Sequence, residues 1–242
     1  MDARELLGKG VYSISEVARI SKIDPRRIRR WVIGYDANGK TFPPVMYSPV
    51  LKMDDTEILT FLQLIEVLYI KEFYEVGIHL PVIRKIGKNA AKEYKTNYPF
   101  AYNAEKWKTD GKTLLRFSDA DMLEVAEEED VAPGRIYVQL DNGQTAIGQF
   151  IELYLHKIRY VRDIAAEFWP LGEDHRVVLD PERAFGRPII AGTRTETSVL
   201  YNLYKAGDTI PVIAHWYEMD EQAVKDAIEY EQSLDEALRK VA

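Results

Sequence analysis

Four arginines stand within five positions, Arg26, Arg27, Arg29 and Arg30, in the stretch D-P-R-R-I-R-R-W-V from Asp24 to Val32. Guanidinium groups at this spacing repel one another unless something anionic lies opposite. Their planar fork of donors suits phosphate oxygens and the O6/N7 edge of guanine. At about 100° per residue, Ile28, Trp31 and Val32 share one helix face. That leaves Arg26 and Arg30 at the centre of the opposite face, with Arg27 and Arg29 on its flanks. Such a run can also be a plain solvated surface, so its setting in the chain decides the reading.

The setting favours nucleic acid. Ser13 followed by Glu16 is a capping box, which predicts a helix from Ile14 with Val17 and Ala18 inward. A turn through Ser21, Lys22 and Ile23 follows. Asp24 then caps a second helix whose first residue, Pro25, needs no donor. This is a helix-turn-helix pattern, and the arginines fall on its second helix, the one that enters a major groove. Asn38-Gly39 predicts a β-hairpin, with Lys40 just past its tip and Pro43-Pro44 behind it. The hairpin reads as a wing along the phosphate backbone, and Lys40 alone does not separate that from an ordinary surface hairpin.

Net charge supports two different surfaces. The 242 residues carry −7, but residues 1–40 hold nine Lys/Arg against five Asp/Glu, a net of +4. Residues 180–242 hold seven against twelve, a net of −5. Near the C-terminus three helices are predicted behind a strand over Arg176–Leu179. The first starts at Thr195 or Thr197 and ends at Gly207-Asp208, with Val199, Leu200, Leu203 and Tyr204 inward. The second, capped by Thr209, turns Val212, Ile213 and Trp216 inward. The third, capped by Asp220, buries Val224, Ala227, Ile228 and Tyr230. Asp220, Glu221, Asp226, Glu229 and Glu231 are expected on the outer surface with only Lys225 against them, which would repel a duplex and suits a protein partner.

Between these ends, Asp54-x-x-Glu57 predicts a helix running to Gly77 that is apolar nearly all round. One face can pack on the head, and the other needs either the central region or a second copy of the chain. Leu80-Pro81 opens a further helix with Val82, Ile83 and Ile86 inward and Arg84, Lys85, Lys88, Lys92 and Lys95 outward. The centre predicts a hairpin turn at Thr109–Lys112, strands over Thr113–Phe117 and Arg135–Leu140, a turn at Asp141–Gly143, a helix over Gln144–Leu155 and a short strand over Lys157–Val161. The carboxylates Glu127 to Asp130 read as a solvated loop rather than a cation site, which needs more geometry than adjacency. The expected class is therefore mainly α with small β. Its parts are a winged helix-turn-helix head with a long helix (1–96), a sheet-and-helix connector (97–172) and a three-helix C-terminal module (173–242).

Catalysis finds no footing. The chain has no cysteine and four scattered histidines, His79, His156, His175 and His215. It also lacks a phosphate-binding glycine loop, a nucleophile–base pair and a metal cluster, so neither enzyme, metal site nor cofactor is expected. Absence of a signal-like start or a membrane-length apolar run predicts a cytoplasmic protein.

Two family resemblances follow from these motifs. The order helix-turn-helix, wing, further helix resembles the DNA-binding head of MerR-type regulators, over about the first third of the chain. The cysteines by which metal-sensing members bind effectors have no counterpart. The pattern G-R-P-x-I-x-G-T-R (Gly186, Arg187, Pro188, Ile190, Gly192, Thr193, Arg194) and the helices after it resemble the small helix-turn-helix domain of VapB-type antitoxins, long catalogued as of unknown function, across Val178 to Glu231. Tyr98-Pro99-Phe100 and Lys108 to Gly111 are similar to longer members that carry a MerR-like head. Glu196 departs from the pattern, where relatives often have proline. The resemblance implies an antitoxin that neutralises a PIN-type ribonuclease toxin and represses its own operon through double-stranded operator DNA, as a homodimer. A stand-alone regulator without a toxin is the alternative. Arg183, Arg187 and Arg194 have the chemistry to pair with anions, but Asp180, Glu182 and Glu196 stand near them, and the stretch reads rather as a structural clasp with internal salt bridges.

Overall fold

The computed structural model describes residues 8–75, 78–102 and 157–241. Among them lie β1 (Val11–Ser13), α1 (Ile14–Ser21), α2 (Pro25–Ile33), β2 (Tyr35–Ala37), β3 (Lys40–Phe42), β4 (Leu51–Met53), β5 (Thr56–Thr60), α3 (Phe61–Glu75) and α4 (Leu80–Tyr94). After the central segment come β6 (Ile158–Val161), β7 (Ile164–Phe168), β8 (Val177–Leu179), β9 (Pro188–Ile190), α5 (Thr197–Ala206), α6 (Ile210–Trp216) and α7 (Glu221–Val241). Three small antiparallel sheets, ordered β1-β5-β4, β2-β3 and β6-β7-β8-β9, sit among these helices. The class is mixed α and β. The turns, strands and helix expected between Thr109 and Leu155, and the acidic run Glu127 to Asp130, lie outside the described residues.

Local signals set the first two helices. Ser13 and Glu16 form the reciprocal capping box, and Lys22 closes α1 in the left-handed region at φ 60°. Asp24 accepts from the backbone N–H of Arg26 at 2.7 Å and of Arg27 at 3.3 Å. Pro25 opens α2 behind that cap. Gly34 then turns the chain at φ 86°, where a Cβ would stand 2.4 Å from the carbonyl of Phe42. Only glycine lets β2 leave α2 so closely beside β3. Arg84 of α4, expected to point outward, instead donates to the carbonyls of Pro43 and Pro44, each at 3.0 Å, and holds the base of this hairpin.

The long helix differs from expectation at its start. Asp54 and Asp55 do not cap it; both take positive φ, 47° and 62°, in the tight turn joining β4 to β5. Pairing Leu51–Met53 with Thr56–Ile58 gives that stretch a sheet ladder that a helix would forfeit. The helix begins at Phe61, where the Gln63 side chain accepts from Thr60 N–H at 2.9 Å. Its expected stop at Gly77 lies outside the described residues. Phe61, Leu64, Ile65, Val67, Leu68, Ile70 and Phe73 are all buried in one core with α1, α2, α4 and β6–β7. The chain itself thus covers both faces, so this helix does not require a second copy.

Inside that core Glu66 is fully buried, and its Oε1 accepts from the backbone of Phe100 at 2.6 Å and Ala101 at 2.9 Å. Burial pushes its carboxyl up to about 8, against the lowering effect of those two N–H groups. The second oxygen has no partner among the described residues.

In the C-terminal module three expectations change. Glu196 takes the position before α5, and its carboxylate pairs with Arg187 at 3.1 Å instead of capping the helix. Val199, Tyr204, Val212 and Trp216 do not point inward: they are 39%, 40%, 39% and 59% exposed. The module's core needs only Ile190, Leu200, Tyr201, Ile213, Ala214, Ala223, Val224, Ala227 and Ile228. Finally, Asp226 and Glu231 are buried rather than part of an acidic outer face, being 1% exposed each. Asp226 accepts from Arg176 N–H at 2.7 Å and Gln222 at 2.7 Å, while Glu231 meets Thr197 at 2.5 Å and Arg19 at 2.6 Å.

The clasp ahead of this module is built from local pairs. Arg194, grouped with Arg183 and Arg187 by sequence, makes no ion pair among the described residues, whereas Arg183 reaches Asp180 at 3.2 Å and Arg187 reaches Glu196. Between them Gly186, at φ 83°, offers its carbonyl to the hydroxyl of Tyr12 at 2.6 Å. The C-terminal module is thereby seated on β1 and α1 of the head.

Candidate nucleic-acid interface

Helix α2 buries Ile28, Trp31 and Val32 and exposes Arg26, Arg27, Arg29 and Arg30. Its partner α1 packs across it, and the backbone of Trp31 receives Val45 N–H at 2.8 Å and Met46 N–H at 3.1 Å, which fixes the segment after the hairpin. The apolar face is thus locked into the core, and the arginine face turns to solvent.

The four guanidinium groups are not equivalent. Arg29 is engaged in a bidentate pair with Glu57 of β5, at 2.8 and 2.7 Å. Arg27 lies over the Tyr74 ring at 5.6 Å, and Arg30 over the Tyr35 ring at 5.1 Å. Such contacts leave the outward edge of a guanidinium available for hydrogen bonding while restraining its rotamers. Arg26 has no ion pair among the described residues. Lys40 is exposed as the first residue of β3, just beyond the Asn38-Gly39 turn.

Tyr35 joins the two halves of this surface. It stacks on Phe42 across the hairpin at 4.7 Å while receiving Arg30 from α2. A two-residue Asn-Gly loop sets Tyr35 opposite Phe42, and that register is observed. Tyr35 was therefore available to sequence reasoning. Glu57 and Tyr74 were not, because only tertiary packing brings them to α2. The surface presents flat, fixed donors on one side of a helix, flanked by a hairpin. Donors of this kind are chemically suited to phosphate oxygens and base edges. Among the described residues no three metal-ligating side chains gather, and no helix is long and apolar enough to cross a membrane.

Residues 177–230 match the family described as "Protein of unknown function (DUF433)". Over nearly its whole length, the chain is 24% identical over 231 residues to the Mycobacterium tuberculosis protein named "Putative antitoxin VapB45", covering 90% of this chain and 92% of that one. It is 21% identical to the "Uncharacterized protein Rv2308" of the same organism, over 95% and 93% of the two chains. The crystal structure of Rv2018 from Mycobacterium tuberculosis shares the fold, with a TM-score of 0.62, 19% identity and coverage of 90% and 96%.

Proposed function

We propose that this protein is the antitoxin of a type II toxin–antitoxin system. In this reading α1 and α2 form a helix-turn-helix, β2–β3 a wing of MerR type, and Arg26, Arg27, Arg30 and Lys40 contact operator DNA, with Arg29 kept from full contact by its pair with Glu57. The chain neutralises a PIN-type ribonuclease toxin and represses its own operon; it is not an enzyme and takes no cofactor. Occupying two half-sites one helical turn apart, about 34–36 Å, calls for a homodimer.

The observation that carries the reading is the arginine face of α2, restrained by Tyr35 and Tyr74 and set beside a hairpin. Similarity along nearly the whole chain to the protein named "Putative antitoxin VapB45" supplies the biological setting. The test is co-expression with the protein encoded by the adjacent reading frame. That neighbour alone should arrest growth, and this chain should relieve the arrest. A harmless neighbour, together with tight binding to the upstream duplex, favours a stand-alone MerR-like regulator instead.

A further inference from the structure

The C-terminal module leaves large apolar side chains in water that its own core does not use. On α6, Ile213 and Ala214 are buried, whereas Val212 and Trp216, four residues apart and so stacked on one face, are 39% and 59% exposed. Tyr217 follows at 36%, and on α5, which packs against α6, Val199 and Tyr204 are 39% and 40% exposed. A tryptophan exposed to this degree beside other apolar groups is the composition of a binding anchor, not of an ordinary surface.

We propose that the outer face of α6, centred on Trp216 and Val212, docks a protein partner that presents an apolar socket ringed by Lys and Arg. The partner's chemistry follows from the residues beside the face. Glu218, Asp220 and Glu221 are exposed directly after it, with Lys225 drawn to Glu221 at 3.8 Å and Arg176 to Asp220 at 3.7 Å. Lys205 lies over the Tyr201 ring at 4.5 Å. A duplex would be repelled by these carboxylates. A second copy docked about a two-fold axis would set the same carboxylates against each other, because an isologous contact brings a patch onto itself. A protein that handles RNA carries the opposite charge, and the acidic margin would steer it in. The inference rests on the antitoxin reading and names the surface by which the toxin is held.

The test uses the full chain, its Val212→Ser/Trp216→Ala variant, and as probe the purified protein of the adjacent reading frame. Both side chains are exposed, so the variant should keep its far-ultraviolet circular dichroism and its affinity for the upstream duplex. Its affinity for the probe should fall by roughly 30-fold or more, the scale of a buried tryptophan anchor. Rising salt should slow association of the wild type with the probe. Binding by the variant within about threefold of wild type overturns this surface while the antitoxin reading stands. No binding by the wild type overturns both. Loss of a wild-type self-association in the variant, seen by light scattering, overturns the assignment by making the occupant a second copy.

Discussion

The Arg19 guanidinium lies 2.6 Å from Oε2 of Glu231, a residue 212 positions further along the chain. Glu231 is almost wholly buried, its other oxygen accepts from Thr197 at 2.5 Å, and Asp235 stands 3.5 Å from the same arginine nitrogen. Helix α1, which supports the arginine helix, is thereby tied to α7. A buried ion pair adds little net stability, since desolvation offsets its attraction, but losing one partner leaves a charge stranded.

Arg19→Ala should therefore destabilise the fold by about 2–3 kcal/mol, less than the roughly 3–5 of a fully buried pair because Arg19 is partly exposed. Urea denaturation of Arg19→Ala, Glu231→Gln and the double variant measures this. The double variant should recover part of the single loss. Strict additivity would show that the pair is not coupled.

A second tie gives a prediction of the same kind. A Cβ on Gly186 would stand 2.3 Å from the Tyr12 hydroxyl, and the residue holds φ 83°. Gly186→Ala should cost about 2–3 kcal/mol from left-handed strain and the broken hydrogen bond. Tyr12→Phe removes the clashing oxygen and alone should cost about 0.5–1.5 kcal/mol. Combined, the two should cost less than their sum in thermal or urea denaturation.

Glu66 makes stability depend on pH. Its carboxyl is pushed up to about 8 in the fold but titrates near 4.5 when unfolded. Between those values the native state holds a proton that the unfolded state has released, so stability falls as pH rises from about 4.5 to 8 and levels off above. Burial moves Glu72 in the same direction. Glu66→Gln keeps an acceptor for Phe100 and Ala101, and should flatten the pH 5–8 slope and be more stable than wild type at pH 8. An unchanged slope in urea titrations would assign the effect elsewhere.

Glu57 is predicted to moderate the arginine face, because it holds Arg29 in a bidentate pair. Glu57→Gln should free Arg29, strengthen duplex binding, and steepen the log–log salt dependence by up to about 0.9, one phosphate contact. Anisotropy titrations over a salt series check this, and an unaltered slope would place Arg29 out of reach of the backbone.

What was legible in the sequence was what short range decides. Ser13 with Glu16, Asp24 with Pro25, and Asn38-Gly39 each complete their hydrogen bonds within a few residues, and all appear as read. Asp54-x-x-Glu57 has the same form, yet there the β4–β5 ladder wins and the true cap is Thr60 with Gln63. The acidic face of the C-terminal module departs from expectation at two positions for the complementary reason. Glu231 and Asp226 look like solvent residues of a helix, but their partners Arg19 and Arg176 come from distant parts of the chain. Apolar character alone predicts Trp216 and Val212 inward. The module is too small to enclose them, and their exposure is what singles out the surface of α6.

In the proposed reading the arginine face of α2 contacts operator DNA. The most direct test is fluorescence anisotropy of the full chain on the duplex upstream of its own gene, beside the Arg26→Ala/Arg30→Ala variant, across a salt series. Both residues are exposed, so the variant should fold as wild type does, lose specific binding, and show a salt slope shallower by about 0.9 for each phosphate contact removed. Equal affinity and equal slope for the two proteins would contradict the account.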